Sequence, residues 1–340
     1  MANSAFGTQL SGQVRDLDLR TGWGKRGYNY EFATGVQREI ASRVSFDVGY
    51  FRRWYGNFAA TDDLNLAPSD FDTFSIVVPS NARLPGGGGN TITGLFDLKP
   101  SVFGRPSNNK VTLASNYGKQ IQHWNGLDIG FQARLAAGLM VQGGTSTGKT
   151  TDDNCEILAK LPEMTLGPGG VYSSGATEFC HAETPWLTQV KALGSYTIPK
   201  IDIQVAGTFQ SIPGNPLTAA FIVPSAVAAQ SLGRPLSGNT PNATVNLIPA
   251  FALTNNVPVP LLGAAAATTS TLYGERLNQL DLRVGKSIRF GGRRATVNLD
   301  MYNLTNSDTV TATNPNYATL WRPTSILQAR FFRVSTQLEF

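Results

Sequence analysis

The chain has 340 residues, a net charge of +5, 41% hydrophobic residues and only 15% charged residues, against about 25% charged residues in ordinary soluble domains. It contains no apolar run of about 18 residues, which excludes a membrane-spanning helix, and no basic cluster, which argues against nucleic acid as a partner. Low charge without a long apolar run is typical of alternating strands, in which hydrophobic residues are spread along each segment.

The N-terminal part of the chain has no regular pattern. Residues 1–27 are polar and contain glycine, so we expect a poorly patterned segment there. The opening run MANSAFGTQL lacks the basic stretch and the following apolar stretch of an export signal. From residue 28 the pattern becomes regular, and we treat residues 28–340 as one domain.

Residues of this domain alternate between apolar and polar in short segments. Successive side chains of a strand point to opposite faces, so each segment predicts a strand with one apolar and one polar face. In the first segment Tyr28, Tyr30 and Phe32 lie opposite Asn29 and Glu31. About nine strands are predicted in this way, at residues 28–40, 44–55, 126–136, 139–147, 186–198, 201–210, 280–289, 295–303 and 331–340.

The connections between these strands are alternately short and long. Short turns are predicted near residues 41–43, 137–138, 199–200 and 291–292, and long loops near 56–117, 148–185, 211–276 and 304–330. Transmembrane barrels have short periplasmic turns and long extracellular loops. We therefore expect an all-β fold, the C-terminal part of an antiparallel transmembrane β-barrel of nine or ten strands.

In such a barrel the apolar faces of the strands would contact lipid, and the polar faces would line a water-filled interior. Polar residues expected on the interior wall include Asp128, Arg134, Gln204 and Arg283. Aromatic residues near the predicted strand ends would form the girdles of the membrane interface, with core packing as the alternative. These aromatic residues are Trp54, Tyr55, Trp124 and Trp186.

The last segment, FFRVSTQLEF, ends the chain on an aromatic residue. Phe332, Val334, Leu338 and Phe340 lie on one face of the predicted strand. An exposed hydrophobic edge strand invites aggregation in a soluble protein, whereas a barrel pairs its last strand with its first. These four residues resemble the signal that the outer-membrane assembly machinery reads. We therefore expect this machinery and outer-membrane lipid as partners, and the outer membrane of a Gram-negative bacterium as the location.

The predicted number of strands is odd, whereas single-chain bacterial barrels have an even number and begin in the periplasm. Either residues 1–27 contain a further strand, or the front of the barrel is missing. The absence of an export signal favours the second explanation. We therefore expect this chain to be the C-terminal part of a larger barrel, or a shortened relative of one.

Several runs, taken in chain order, resemble the C-terminal barrel of TonB-dependent outer-membrane receptors. The resemblance extends from about residue 24 to residue 340, and is most specific at residues 273–306. The closest group is the Oar-like receptors, which carry a carboxypeptidase-regulatory-like domain. The runs are GKRGYNYEF, LPGGGGN, HWNGLDIGFQARL, GGTSTGKTTDDNC, SLGRPLSGN, LYGERLNQLDLRVGKSIRFGGRR and LDMYNLTNS.

The resemblance implies a barrel of about 22 strands, filled by an N-terminal plug and energised by TonB, which transports a bulky nutrient. Neither a plug nor a TonB box is found in this sequence, so contact with TonB would depend on a plug that this chain does not carry. Ser75 and Thr93 are a departure, because related chains often have a cysteine pair there. A surface or adhesion barrel that transports nothing is the alternative function.

The run Gly143 to Thr150, GGTSTGKT, matches the pattern of a phosphate-binding loop. Such a loop requires a strand before it, a helix after it and converging backbone N–H groups. The preceding strand is predicted to lie in a hairpin rather than in a parallel sheet, which argues against nucleotide binding. A nucleotide-dependent enzyme therefore stays the weakest alternative.

Cys155 and Cys180 are the two cysteines of the chain, and both fall in one long loop. A disulfide is expected in an oxidising compartment, and two free thiols are the alternative. His123 and His181 are far apart in sequence, so no metal site is predicted. The carboxylate pairs at 62–63 and 152–153 are interpreted as solvated turns rather than as a Ca²⁺ site. We expect no catalytic residues and no cofactor.

Overall fold

A computed structural model describes residues 13–135, 138–166, 179–248 and 272–339. Three α-helices are present in these residues: α1 (Leu17–Arg20), α2 (Cys155–Lys160) and α3 (Ser225–Leu232). The strands are β1 (Gln13–Arg15), β2 (Tyr28–Ala41), β3 (Val44–Gly56), β4 (Ala59–Asp63), β5 (Phe71–Val77), β6 (Thr91–Leu98), β7 (Asn109–Leu113), β8 (Ile121–Arg134), β9 (Met140–Asp153), β10 (His181–Glu183), β11 (Leu187–Ile198), β12 (Ile203–Ile212), β13 (Ala219–Pro224), β14 (Asn242–Ile248), β15 (Leu277–Phe290), β16 (Arg293–Tyr302), β17 (Val310–Thr313), β18 (Pro323–Ile326) and β19 (Phe331–Glu339).

Nine long strands form the main sheet, in the order β2-β3-β8-β9-β11-β12-β15-β16-β19. They are 9 to 14 residues long, and neighbouring strands of the sheet pair antiparallel throughout. The short strand β10 pairs with β9. The described residues are mostly antiparallel β-sheet, which is compatible with the predicted all-β fold. Among the described residues, β2 and β19 each pair on one side, so the described part of the sheet has two open edges.

Three short connections lie wholly within the described residues, at residues 42–43, 199–202 and 291–292, and each is a turn, as the sequence predicts. Phe290 pairs with Arg293, which leaves a two-residue turn of Gly291 and Gly292 at φ 52° and 78°. Two consecutive positive φ angles fit the right-handed twist of a hairpin and are tolerated best by glycine. Of the turn predicted at residues 137–138, residue 137 lies outside the described residues.

Strands β8 and β9 are longer than predicted at the end that leads into the long connections. His123 pairs with Thr151, and Trp124 pairs with Thr150, in regular antiparallel register. The sequence of this part of β9 is rich in threonine and aspartate and has no apolar alternation. Backbone pairing with β8 therefore extends the strand beyond the point at which the apolar pattern ends.

The long connections contain structure that the prediction of plain loops missed. β5 pairs with β6, β13 with β14 and β17 with β18, while β7 pairs with both β1 and β4. The hairpins β5–β6 and β13–β14, helix α3 and residues 317–321 pack together, and we call this unit the cap. Its core contains fully buried residues from each part, including Ile92, Leu95, Val223, Val245 and Leu320.

The segment 13–27, expected to be poorly patterned, contributes β1 and α1. β1 pairs in parallel with β7, and Asp16 accepts a hydrogen bond from the Thr112 hydroxyl at 3.0 Å. Residues 1–12 lie outside the described residues. Among the described residues, no helix combines the length and the apolar character needed to cross a membrane.

Candidate functional site

One face of the main sheet is apolar and exposed. Val36 of β2 and Val334 of β19 are both 71% exposed, although both lie in the middle of regular strands. Their register partners Val48 and Leu299 are exposed as well. Further large exposed residues on this apolar face are Phe32, Ile40, Phe46, Leu127, Phe209, Ile288, Phe290 and Val297. The exposed apolar residues on this face therefore come from β2, β3, β8, β12, β15, β16 and β19, whereas β9 presents Gly143, Thr145 and Thr147 there.

Aromatic residues cluster on the apolar face where β2 and β3 meet the long connections. The rings of Tyr28 and Tyr30 are 4.5 Å apart, and those of Tyr30 and Trp54 are 5.9 Å apart. Trp186, directly before β11, is also exposed. An aromatic group at the end of an apolar face fits a membrane interface.

Trp124 and Tyr55, which the sequence places with these aromatic residues, lie on the other face. Trp124 pairs with Arg53, and Tyr55 with Asn29, in rows of polar residues. A Cβ atom at Gly126 would collide with the Trp124 indole, so glycine allows the ring to lie flat on the strand. These two residues are therefore not part of the aromatic group on the apolar face.

The opposite face of the main sheet is polar, and its side chains pair across strands. Glu31 forms an ion pair with Arg53, and the Arg283 guanidinium donates to the Asp300 carboxylate. Among the residues predicted to line an interior, Asp128, Arg134, Gln204 and Arg283 all lie on this polar face, because each shares the parity of these pairs in the register.

The last strand has its own polar anchor. Asp300 is 3% exposed and lies between two arginines, with Arg333 of β19 at 2.9 Å and Arg283 of β15 on the other side. Arg333 also lies over the ring of Tyr302.

Three residues that were predicted as part of the assembly signal are exposed on the apolar face: Phe332, Val334 and Leu338. Phe340 lies outside the described residues.

A hollow of about 680 Å³ lies on the polar face. Its walls are amide and charged side chains from six neighbouring strands, β3 to β15. The glutamines are Gln132, Gln142, Gln189, Gln210 and Gln279, and the charged residues are Asp47, Asp128, Asp281 and Lys191. We call this cavity the glutamine hollow. The sequence pattern places most of these residues on the polar faces of their strands, with Asp128 expected on the interior wall, but it does not bring them together in one hollow, because that depends on the register of separate hairpins.

Cys155 and Cys180 form a disulfide, with their Cα atoms 4.8 Å apart. The disulfide joins the start of α2 to the residue before β10. Beside it, Lys149 and Glu183 form an ion pair at 2.6 Å, and His181 lies 2.9 Å from Asp153. Together these contacts hold the segment after β9 against the end of the main sheet.

Glu163 follows α2 and reaches the neighbouring strand β4. Its carboxylate accepts a hydrogen bond from the Asp63 backbone N–H at 3.3 Å. Burial, with the nearby carboxylates of Asp62 and Asp63, raises the pKa of Glu163 to about 7. Ile157 and Leu161 pack beside this contact in a small apolar cluster with β4.

The cap is held by an ion-pair network around Arg234, directly after α3. Arg234 lies 2.6 Å from Asp72 of β5 and 2.5 Å from Asp97 of β6. Asp97 is 5% exposed and also accepts hydrogen bonds from Ser237. This network connects two parts of the cap that are more than a hundred residues apart in the chain.

The structure does not form a phosphate-binding loop at Gly143 to Thr150, because the whole run lies within strand β9. No helix starts at residue 150, so backbone N–H groups do not converge on one point.

The carboxylate pair at residues 62–63 lies at a turn: Asp63 accepts hydrogen bonds from the backbone N–H groups of Asn65 and Asn108. Within the described ranges, no group of three or more histidine, cysteine, aspartate or glutamate side chains is arranged to hold a metal ion.

Comparison with protein-family models gives no match to the chain, and comparison with curated proteins gives none. The assignment to a receptor family therefore depends on the resemblance of the sequence runs alone.

Proposed function

We propose that this chain forms part of the wall of a transmembrane β-barrel in the outer membrane of a Gram-negative bacterium, in a TonB-dependent receptor that transports a bulky nutrient. The observation that carries the proposal is the exposed apolar face of the main sheet, to which seven of its nine strands contribute large apolar side chains. Water-soluble monomers rarely expose apolar patches larger than a few hundred Å². Lipid is the solvent in which such a face is stable without a second packed layer.

The location of the hydrophobic core supports the same proposal. The largest cluster of buried apolar residues lies in the cap, not between the main sheet and another layer. A soluble β-sandwich would bury the apolar face of its main sheet against a second sheet. Here the cap has a packed core of its own, as expected of a unit in water, while the sheet faces a different environment.

Strand length also fits a membrane. A tilted strand of about nine to eleven residues spans the hydrocarbon layer, and the nine strands of the main sheet have 9 to 14 residues. All long connections leave at one end of the sheet and all short turns at the other. The receptor group is supported by the sequence runs alone.

The lipid contact can be tested by placing a charge on either face of one strand. We expect Val36→Arg to lower the free energy of unfolding in phospholipid vesicles by about 2–4 kcal/mol, the cost of an arginine facing the middle of a bilayer. The control is Gln37→Arg, the next residue on the polar face, where Asp47 is the register partner. Its effect should stay below about 0.5 kcal/mol. Equal effects of the two variants in urea unfolding would contradict the proposal.

The transport step needs a separate experiment, because a surface barrel with a folded cap could bind partners without moving anything. Cells that carry the intact receptor are given labelled nutrients in the presence and absence of a protonophore. Uptake that stops when the proton-motive force collapses supports transport. Binding at the surface that is unaffected by the protonophore, with no uptake, supports the adhesion protein instead.

A further inference from the structure

We propose that Arg52 of β3 binds a phosphate group of a lipid in the outer leaflet. The proposal rests on the proposed function, which places the apolar face of the main sheet in lipid, and it names the chemical class of the lipid at one point of that face. Three observations carry it: the position of Arg52 in the register, the missing counter-ion of its guanidinium, and the hollow beside it.

Arg52 interrupts the apolar face at the level of the aromatic residues. It lies on this face because Phe32 of β2 is its register partner. The next row toward the long connections pairs Tyr30 with Trp54, and their rings are 5.9 Å apart. Arg52 is therefore one row away from the aromatic group that fits a membrane interface.

The depth of Arg52 also fits the interface. It follows Val48 in β3 by four residues, which is about 13 Å along a strand and about 10 Å across a bilayer at a tilt of about 40°. Half of the hydrocarbon layer is about 15 Å thick. An arginine side chain extends over the remaining distance while its methylene groups stay among apolar neighbours. The guanidinium therefore reaches the headgroups of the leaflet at the end with the long connections.

The guanidinium of Arg52 has no counter-ion in this structure. Arg52 is exposed and forms no ion pair and no side-chain hydrogen bond among the described residues. Lys149 lies in the same row, two strands away, and is paired with Glu183 at 2.6 Å. Asn125, between them, accepts a hydrogen bond from the Tyr50 hydroxyl at 3.1 Å. Arg52 is thus the cation of this row whose charge is left for a ligand.

A hollow of about 530 Å³ lies beside Arg52. Its walls include Arg52, Phe32 and Trp54, together with residues 120–123 at the start of β8. This volume lies within the range of about 300–1,000 Å³ for ligand pockets, so it accommodates a headgroup. Arginine binds phosphate through two parallel N–H···O hydrogen bonds, and the aromatic wall offers contacts to the apolar part of the same ligand.

A lipid phosphate fits this site better than a soluble anion. The apolar face continues from Arg52 toward the middle of the sheet through Val48 and Leu127, which are both exposed. Acyl chains that lie along these residues would place the phosphate of their own headgroup at Arg52. A soluble anion would gain the charge of the guanidinium but none of the apolar contacts.

The test is the binding of lipid A, a phosphorylated glycolipid, to the full chain folded in neutral detergent, counted by native mass spectrometry. We expect Arg52→Gln to weaken binding by about tenfold, because hydrogen bonds to a charged group are lost. Arg52→Lys keeps the charge without the planar fork, and should retain more binding than Arg52→Gln. Arg38→Gln is the matched control, because it removes an arginine from the apolar face near the short-turn end, opposite Phe46, and should leave binding unchanged.

Three results would overturn the proposal. Equal losses in Arg52→Gln and Arg38→Gln would mean that any cation on the apolar face attracts the lipid. Equal binding of lipid A from which the phosphates have been removed would mean that phosphate is not recognised. Displacement of lipid A by inorganic phosphate alone would indicate a site for a soluble anion. Circular dichroism of each variant shows that it is folded.

Failure of this proposal is distinguishable from failure of the proposed function. If the sheet is a membrane wall but Arg52 binds no phosphate, Val36→Arg and Gln37→Arg still differ in stability, while Arg52→Gln binds lipid A as the wild type does. If the apolar face does not contact lipid, Val36→Arg and Gln37→Arg have equal effects.

Discussion

Glu163 links the disulfide-bonded segment to strand β4 through one carboxyl group. Its burial and the nearby carboxylates of Asp62 and Asp63 disfavour the ionised form. Because its pKa is raised to about 7 in the folded chain, its contribution to stability is complete below about pH 4.5, the pKa of an exposed glutamate. That contribution is lost as the pH rises through 7.

We expect Glu163→Gln to remove this pH dependence. The glutamine keeps an acceptor for the Asp63 N–H but cannot ionise, so at pH 8 the variant should be more stable than the wild type by about 1 kcal/mol, a value reduced for solvent screening. The measurement is thermal unfolding in detergent from pH 4.5 to 8. Glu156→Gln, on α2 of the same segment, is the control. An unchanged pH profile in Glu163→Gln would show that this contact does not titrate.

At the scale of the strands, the alternation of apolar and polar residues predicted the nine strands of the main sheet. It failed where a strand has no apolar face. The end of β9 was predicted as a loop because Thr150 and Thr151 do not alternate with apolar residues, and only pairing with β8 makes it a strand. The glutamine hollow was missed for a related reason. Gln210 meets Gln279 because of the register between two hairpins, which a single sequence does not specify.

The last strand depends on the buried carboxylate of Asp300. We expect Asp300→Asn to lower the free energy of unfolding by about 2 kcal/mol, because Arg283 and Arg333 lose their shared anion while remaining partly exposed themselves. A double-mutant cycle with Arg333→Gln, measured by urea unfolding, gives the coupling free energy between Asp300 and Arg333 of β19. Ser335→Ala, on the same face of β19, is the control. Additive effects of Asp300→Asn and Arg333→Gln would contradict a coupled anchor.

At the scale of the whole molecule, the described chain has two parts with different stabilising interactions. The main sheet is held by its ladders and has an exposed apolar face, whereas the cap has a buried core and the Arg234 network. The sequence did not predict the cap, because its apolar residues are dispersed among proline, glycine and asparagine in three connections. None of these connections has a hydrophobic pattern long enough to indicate a core by itself.

Arg234→Met should unfold the cap without unfolding the main sheet. The change leaves the buried Asp97 carboxylate without its cation, at a cost of about 3 kcal/mol. Hydrogen exchange is the measurement: protection should be lost at residues 219–248 and kept in β8 and β9. Arg289→Met is the control, because Arg289 and Asp202 form an exposed pair at 3.9 Å and should contribute less than about 1 kcal/mol. Simultaneous loss of protection in β8 and β9 would mean that the chain is one cooperative unit.

The composite core of the cap also constrains the order of assembly. Residues 71–98, 217–248 and 320–321 are each unable to bury their apolar side chains alone. Bringing them together closes one chain loop of more than a hundred residues, between residues 98 and 217, and a shorter one between residues 248 and 320. Closing such loops is slow unless the intervening strands are already paired. If the proposed location is correct, all three connections must be translocated to the cell exterior before the cap can form. Correct packing of the cap would then indicate that the strands of the main sheet are paired in the correct register.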